Sequence, residues 1–334
     1  MTTNQNLTES SVGSIERAAE LIRAGGVVAF PTETVYGLGA SAFDALAVAR
    51  IFELKARPRF DPLIVHIAAL TDVETLAASF PTAARKLAEQ FWPGPLTLVL
   101  PKHPIVPDIV TAGLASVAIR QPDHPVALAL IRAAGVPIAA PSANPFGRTS
   151  PTTAAHVAEQ FGEQLEMILD GGPCRVGVES TIVSFIEPTP VLLRPGGVPL
   201  EDIEAAIGPV AVQTSSGARP LAPGQLPNHY APRTPLRLFH ETDSQSNAGR
   251  IGLLSFRRPL NSTGLTAVEV LSVAGDLREA ATNLFAAIRR LDAQRLDLIL
   301  AEPLPETGLG RAIMDRLRRA SVGTSQPVDA TEAT

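Results

Sequence analysis

The most constraining feature of this sequence is a series of short, predominantly apolar, β-type runs. They are Val27–Phe30, Leu63–Ile67 (broken only by His66), Leu96–Leu100, Val117–Ile119, Ile138–Ala140, Met167–Leu169, Thr181–Phe185 and Val191–Leu193. Each is too short for a helix, and none alternates apolar with polar residues. Strands of this kind belong to a sheet covered on both faces, hence an α/β fold. The covering helices are readable between them. Ser14–Ala24 repeats Ile15, Ala18, Ala19 and Ile22 at helical spacing, with Ser14 as the expected N-cap. Further helices are expected over 44–54, 81–91, 125–134 and 151–161, the last with Ser150 as cap and Pro151 in the first turn.

From Gly208 to Pro235 the texture changes to Pro, Gly, Ser and Gln without periodicity, which reads as a linker. The alternation then resumes: strands over 236–239, 251–255, 268–271 and 296–300, helices over 277–291 and 310–320. That order predicts a smaller, parallel, Rossmann-like α/β domain. The expected organisation is a flexible start (1–13), a first domain (14–207), a linker or lid (208–235), a second domain (236–321) and a flexible tail (322–334).

Composition removes several function classes. Lys and Arg number 28 against 33 Asp and Glu, a net charge of −5, so a strongly basic nucleic-acid coat is excluded. The 45% apolar content supports two cores and excludes global disorder. Only two Tyr and one Trp are present, too few for a base-stacking platform. The single cysteine, Cys174, cannot form a disulfide within the chain or a cysteine zinc site, and it fits a reducing compartment. The longest uncharged stretch, 133–147, is short and interrupted by proline, so no spanning helix is expected. Met1–Ser11 is polar and lacks the apolar core of a secretory signal. A cytoplasmic protein is the expectation.

The motifs point to positioning chemistry. There is no Walker A loop, no G-x-S-x-G elbow and no H-x-x-x-H or H-E-x-x-H metal box, and Cys174 has no nucleophile context. Gly37–Ala42 fits G-x-G-x-x-A, but Pro31-Thr-Glu-Thr34 separates it from the strand before it. Polar groups recur where strands end: Thr32 to Thr34, Lys55 and Arg57 before Pro58, Asp61, His66, Pro141-Ser-Ala-Asn144, Arg148 to Ser150, Gly177-Val-Glu-Ser180 and Arg194. Each alone reads equally as a cap, a turn or a dipole-balancing cation. Together they suit a concave site for a polyanion and a small amino acid, with catalysis by orientation and electrostatics.

The ordered set Phe30–Ala40 (FPTETVYGLGA), Lys55-Ala-Arg57-Pro58, Pro62–His66, Trp92–Thr97, Val117–Arg120, Ala139–Asn144, Gly177–Thr181 and Leu192–Gly196 resembles the YrdC-type threonylcarbamoyl-AMP synthase family. His229-Tyr-Ala-Pro232 and the small second domain resemble its long, two-domain form. The resemblance implies a YrdC-like twisted mixed sheet with flanking helices, a linker and a Rossmann-like parallel α/β domain. It implies condensation of L-threonine, bicarbonate and ATP to threonylcarbamoyl-AMP and diphosphate, with Mg²⁺ carried by the ATP. The product would serve modification of the tRNA adenosine beside the anticodon, making tRNA and the downstream threonylcarbamoyl transferase complex candidate partners.

Carried over by position, threonine would contact Thr34, His66, Arg120, Ala140 and Ser180. The nucleotide would contact Arg57, Asp61, Ser116, Ser142, Ser150, Arg194 and Tyr230. Lys55, Arg57, Ser142 and Asn144 match the family's charge-stabilising K-x-R…S-x-N set. Two positions depart from the pattern. Asp61 stands where the family has Asn, and Gly224–Asn228 replaces a basic, aromatic stretch of the linker. The competing classes are a noncatalytic RNA-binding protein, a carbamoyl-transfer domain acting on another acceptor, and the dinucleotide enzyme suggested by Gly37–Ala42.

Overall fold

The computed structural model describes residues 6–213, 220–226, 229–239, 249–259 and 262–322. Two sheets organise them. The larger contains β1 (Leu7–Glu9), β2 (Val28–Phe30), β3 (Gly37–Ser41), β4 (Ile64–His66), β5 (Leu96–Pro101), β6 (Ser116–Arg120), β7 (Ile138–Ala139), β8 (Met167–Asp170), β9 (Thr181–Ser184), β10 (Val191–Arg194) and β11 (Ala211–Val212). Their order is β1-β8-β2-β3-β7-β4-β6-β5-β9-β10-β11. The sheet is mixed, for β4 pairs parallel with β6 and antiparallel with β7.

The apolar runs are explained by two-sided burial. On β2, Ala29 packs into one core while Val28 and Phe30 pack into another on the opposite face. On β5, Leu98 and Val99 divide in the same way. Successive strand side chains point to opposite faces, so both faces must be apolar when both are covered.

The smaller sheet is β12 (Leu236–Leu238), β13 (Ile251–Ser255), β14 (Ala267–Val270) and β15 (Leu298–Ala301), ordered β12-β15-β13-β14 with every pairing parallel. Helix Leu277–Asp292 is capped by Asp276, whose side chain accepts from the backbone N–H of Arg278 and Glu279. It buries Ala280, Ala281, Leu284, Phe285, Ile288 and Leu291. Val35 and Val178 of the first domain and Tyr230 of the linker join this second core.

Four local expectations change. Ser11, not Ser14, caps the first helix (Val12–Arg23); Ser14 sits three residues in and completes a reciprocal capping box. Leu7–Glu9, expected to be flexible, adds a parallel strand to β8. Residues 1–5 and 323–334 of the expected flexible ends lie outside the described residues. Thr153, not Ser150, caps helix Ala154–Phe161, which frees the Ser150 hydroxyl for another partner. Finally, Gly37–Ser41 is a strand antiparallel to β2, not a strand-to-helix turn. A side chain at Gly39 would meet the Phe30 ring at 2.6 Å and Ile138 at 2.7 Å, so this glycine serves sheet packing. The dinucleotide-turn reading therefore falls.

Gly177 lies where the two domains touch. Its φ is +77°, and a Cβ there would sit 2.4 Å from the Ala281 carbonyl oxygen. Gly172 has a similar φ of +83° but open space around it. Gly172→Ala should cost only the backbone strain, about 1–2 kcal/mol. Gly177→Ala adds a clash with backbone and should cost a further ~1–3 kcal/mol. Denaturant midpoints of the two variants check this; equal losses would contradict it.

Candidate active site

The site forms where β2, β4, β6, β7, β9 and β10 end and the linker crosses over them. One pocket is lined by Thr32, Thr34, Val35, Gly37, Arg57, Ile64, His66, Arg120, Ala140, Pro141, Ser142, Glu179, Ser180, Arg194, Pro223, Gly224, His229 and Tyr230. All five residues assigned to threonine (Thr34, His66, Arg120, Ala140, Ser180) line it. Of those assigned to the nucleotide, Arg57, Ser142, Arg194 and Tyr230 line it, whereas Asp61, Ser116 and Ser150 do not. Ser116 begins β6 and Arg120 ends it, which puts them about 13 Å apart along the strand.

Register brings the amino-acid end together. His66 pairs with Arg120 across β4 and β6 and with Ile138 across β4 and β7. The Arg120 guanidinium is buried, ion-paired with Glu33 at 2.7 Å, and donates from Nε to the Gly94 carbonyl. Burial, and secondarily Arg120, lower the His66 pKa to about 3. Its ring is therefore neutral at physiological pH, and its Nδ1 has no hydrogen-bond partner. Ser180 shares a hydrogen bond with Thr97 at 2.7 Å.

The residues matched to the nucleotide are held differently. Arg57 follows helix Ala45–Lys55, pairs with Asp61 at 2.9 Å and donates to the Asp61 and Pro62 carbonyls. Asp61 thus explains one departure from the family pattern: it neutralises Arg57 from behind instead of facing the cavity. Lys55 does not line the pocket. Its buried ammonium donates to the backbone carbonyls of Ser142 and Asn144 and holds the Pro141–Asn144 turn in place. Burial and the neighbouring Arg57 lower its pKa well below the ordinary lysine value. Asn144 likewise works on backbone, donating from Nδ2 to the Pro145 and Arg148 carbonyls. Arg194 donates to the Ser180 carbonyl and hydroxyl and to the Pro223 carbonyl, so it ties β10 to β9 and to the linker.

The linker covers the cavity. Ala222 packs with Ile64, Val99, Ala118, Ile182 and Leu193. Gly224 has φ +81°, and a Cβ there would lie 2.7 Å from the Tyr230 hydroxyl, so glycine is what lets the strap pass this close. Tyr230 is buried, with its ring stacked on Phe285 at 5.7 Å and on the edge of His229 at 4.1 Å. Of the altered linker stretch, Pro227 and Asn228 lie outside the described residues.

Residue-by-residue reading assigned no role to Glu33, Glu179 or His229. Glu33 and Glu179 were visible as carboxylates inside the two motifs, but nothing in sequence revealed that Arg120 and Arg316 would be their partners. Glu179 accepts from the Ser150 hydroxyl at 2.6 Å and from Arg316 Nε at 2.9 Å.

Comparison with known proteins places the chain in a family. A family described as "Telomere recombination", covering the Sua5, YciO and YrdC proteins, matches residues 20–196. "Threonylcarbamoyl-AMP synthase, C-terminal domain" matches residues 198–322. The threonylcarbamoyl-AMP synthase of Pyrococcus abyssi is 48% identical over 92% of this chain and 94% of that protein. The chain belongs to the threonylcarbamoyl-AMP synthase family. The Bacillus subtilis synthase is 46% identical over 92% of this chain and 93% of its own length. A crystal structure of P. abyssi Sua5 complexed with L-threonine superposes with a TM-score of 0.87 at 45% identity, covering 94% of this chain and 96% of that one. The two-domain arrangement is thus the family's long form.

The buried histidines set a pH dependence of stability. Burial lowers the His66 pKa and drives that of His229 well below its ordinary value, with the surrounding arginines and Lys55 adding to the latter. In the unfolded chain both bind a proton near pH 6.5. Below that pH the unfolded state therefore holds more protons, and stability falls by roughly 1.4 kcal/mol per pH unit for each. Unfolding midpoints should be flat from pH 8 to 7 and drop from pH 6.5 to 5. His66→Asn should flatten the drop; an unchanged slope would contradict the assignment.

Proposed function

We propose that this protein condenses L-threonine, bicarbonate and ATP to threonylcarbamoyl-AMP and diphosphate, supplying threonylcarbamoyl groups for the tRNA adenosine beside the anticodon. The observation that carries this reading is the pocket wall. It gathers the five threonine-matched residues and Arg57, Ser142 and Arg194 around one cavity.

The chemistry asks little covalent work of the protein. The amine of threonine and CO₂ from bicarbonate form an N-carboxylate. One of its oxygens attacks the α-phosphorus of ATP, and the bond to the bridging oxygen breaks as diphosphate leaves. Arg120 holds the threonine carboxylate, for which its planar fork is suited. His66, neutral and with a free Nδ1, adds a hydrogen bond without placing a second cation there. Arg57 and Arg194 face the charge that grows on the phosphoryl and departing oxygens. Lys55 and Asn144 shape the turn that presents Ser142 to the same region.

Among the described residues no group of three His, Cys, Asp or Glu side chains is placed to hold a metal ion. Each carboxylate around the pocket is committed to an arginine. Mg²⁺ in this reading belongs to the nucleotide substrate, and no step is assigned to a protein-bound ion.

The carbamate and the mixed anhydride both hydrolyse readily, so water must be kept out. Pro223, Gly224, His229 and Tyr230 line the cavity, where a lid would serve that purpose. In this reading the protein works in the cytoplasm; among the described residues no helix is long and apolar enough to cross a membrane.

Diphosphate release should be measured with ATP, Mg²⁺, bicarbonate and each of the twenty amino acids in turn. L-threonine alone should stimulate it, and Arg120→Ala should lower threonine-dependent release by about 10²-fold or more, as loss of a charged, bidentate substrate contact does. No release with any amino acid, or equal release with all, would overturn the reading. Salt-sensitive RNA binding without ATP turnover would favour the noncatalytic alternative.

A further inference from the structure

Arg316 is among the largest fully buried side chains and is 0% exposed. It lies on helix Gly310–Ser321 of the second domain, yet two of its partners belong to the first, and one of them, Glu179, lines the pocket. Nε donates to Glu179 Oε2 at 2.9 Å, and Nη1 donates to the Pro195 carbonyl at 2.7 Å and to Asp315 at 2.8 Å. Glu179 lines the pocket and takes the Ser150 hydroxyl on its other oxygen. The Arg316 guanidinium also stands 5.2 Å from the centre of the Tyr230 ring.

The surrounding backbone is drawn to the same point. A Cβ at Gly196 would sit 2.3 Å from the backbone of Glu179, Ser180 and Thr181, and Gly197 N–H donates to the Glu179 carbonyl at 3.0 Å. One turn further along the helix, Arg319 is held by Asp315 and donates to the linker carbonyls of Gln225 and Leu226 at 2.8 and 2.9 Å. A single helix thus grips the pocket floor with one arginine and the strap with another.

Glu179 has a specific electrostatic problem. It places a carboxylate in the wall of a cavity that, on the activity proposed above, receives a triphosphate. Like charges at close range in a buried site repel strongly. Burial alone would raise the Glu179 pKa, but Arg316, then Arg194 and Ser150, outweigh it and hold the group ionised below its ordinary value.

We propose that Arg316 is a positioning residue for the adenylation step: the second domain completes the nucleotide end of the pocket by neutralising Glu179 and fixing its bond to Ser150. This rests on the synthase reading. Arg316 touches no substrate. It acts through Glu179, and its loss leaves a buried, unpaired carboxylate facing the nucleotide. Of the threonine-matched groups, Arg120 with its partner Glu33 and His66 stand on separate contacts, whereas Ser180 follows Glu179 directly.

The experiment compares full-length wild type, Arg316→Met, Arg316→Lys and the double variant Glu179→Gln/Arg316→Met. It reads kcat and the KM values for ATP and threonine from pH 6 to 9, with unfolding midpoints alongside. Arg316→Met should raise the ATP KM about tenfold or more and the threonine KM by less than threefold, a split that general destabilisation would not produce. Its activity relative to wild type should rise as pH falls, because protonation of Glu179 removes the repulsion. Adding Glu179→Gln should recover at least threefold of the ATP KM, a coupling expected only of groups in contact. Arg316→Lys keeps the charge but cannot span both Glu179 and Pro195, so its ATP KM should rise about three- to fivefold.

The role is overturned if a folded Arg316→Met has both KM values within twofold of wild type and a superimposable pH profile. It is also overturned if both KM values rise equally with no rescue by Glu179→Gln. Should Arg316→Met fail to fold, Arg316→Lys decides, and an ATP KM equal to wild type overturns the role. Wild type separates this proposal from the activity beneath it. No threonine-dependent diphosphate release from wild type removes the activity, whereas normal release with unaltered Arg316 variants removes only this role.

Discussion

Buried charge governs this molecule. The described residues include eight buried acidic or basic side chains of the Asp, Glu, Lys and Arg types: Glu33, Lys55, Arg57, Asp61, Arg120, Glu179, Arg194 and Arg316. All eight surround one pocket, through direct lining or through a partner that lines it. Ions are costly to desolvate, and a domain has no reason of stability to collect them. Three arginines are paired with the three carboxylates, Arg57 with Asp61, Arg120 with Glu33 and Arg316 with Glu179. Lys55 and Arg194 have backbone carbonyls and a hydroxyl, not a carboxylate, as their direct partners. Burial lowers the pKa of both. An anion entering this cavity would meet Arg194 without a directly paired carboxylate.

The same interactions join the structure mechanically. Arg194 and Arg316 connect strand ends, strap and second domain at Ser180, Pro195 and Pro223. Breaking a buried pair by removing one partner costs about 3–5 kcal/mol, so the pocket and the domain interface are under one constraint. This accounts for how a small parallel sheet with no pocket-lining residue of its own can still matter for chemistry in its neighbour. It also accounts for the shared core, in which Val35 and Val178 meet Phe285 and Tyr230.

Much of this was legible in sequence, and the failures are instructive. Fully apolar runs such as Val27–Phe30 announced two-sided burial because a strand's alternation is lost only when both faces are covered. The texture change after residue 208 marked the strap. Local signals failed where tertiary contacts outweighed them. Ser150-Pro151 looked like a helix start, but the Ser150 hydroxyl is taken by Glu179, distant in sequence, and Thr153 caps instead. Gly37-Leu38-Gly39 looked like a phosphate turn, but Phe30 and Ile138 leave room only for glycine within a strand. That Thr34, His66, Arg120, Ala140 and Ser180 share one cavity was readable because they sit in ordered motifs at strand ends. Ion-pair partners were not, since Glu33 and Arg120, or Glu179 and Arg316, are far apart in the chain and carry no pairwise mark. Lys55 matched a family motif, but its work on the Ser142 and Asn144 carbonyls is a matter of three-dimensional reach.

Asp61 offers the most direct test of the charge argument, because it pairs with Arg57, which lines the cavity, without lining the cavity itself. Asp61→Asn keeps the shape and removes the negative charge beside Arg57. Calorimetric titration of Mg-ATP into both proteins at low salt, with unfolding midpoints of the unliganded forms, measures the consequence. The account predicts that Asp61→Asn is less stable without ligand yet binds ATP more tightly, by about 3–10-fold at the scale of one partly screened charge. Weaker or unchanged ATP binding in a folded Asp61→Asn protein would contradict the claim that buried cations lining the cavity are what the nucleotide meets.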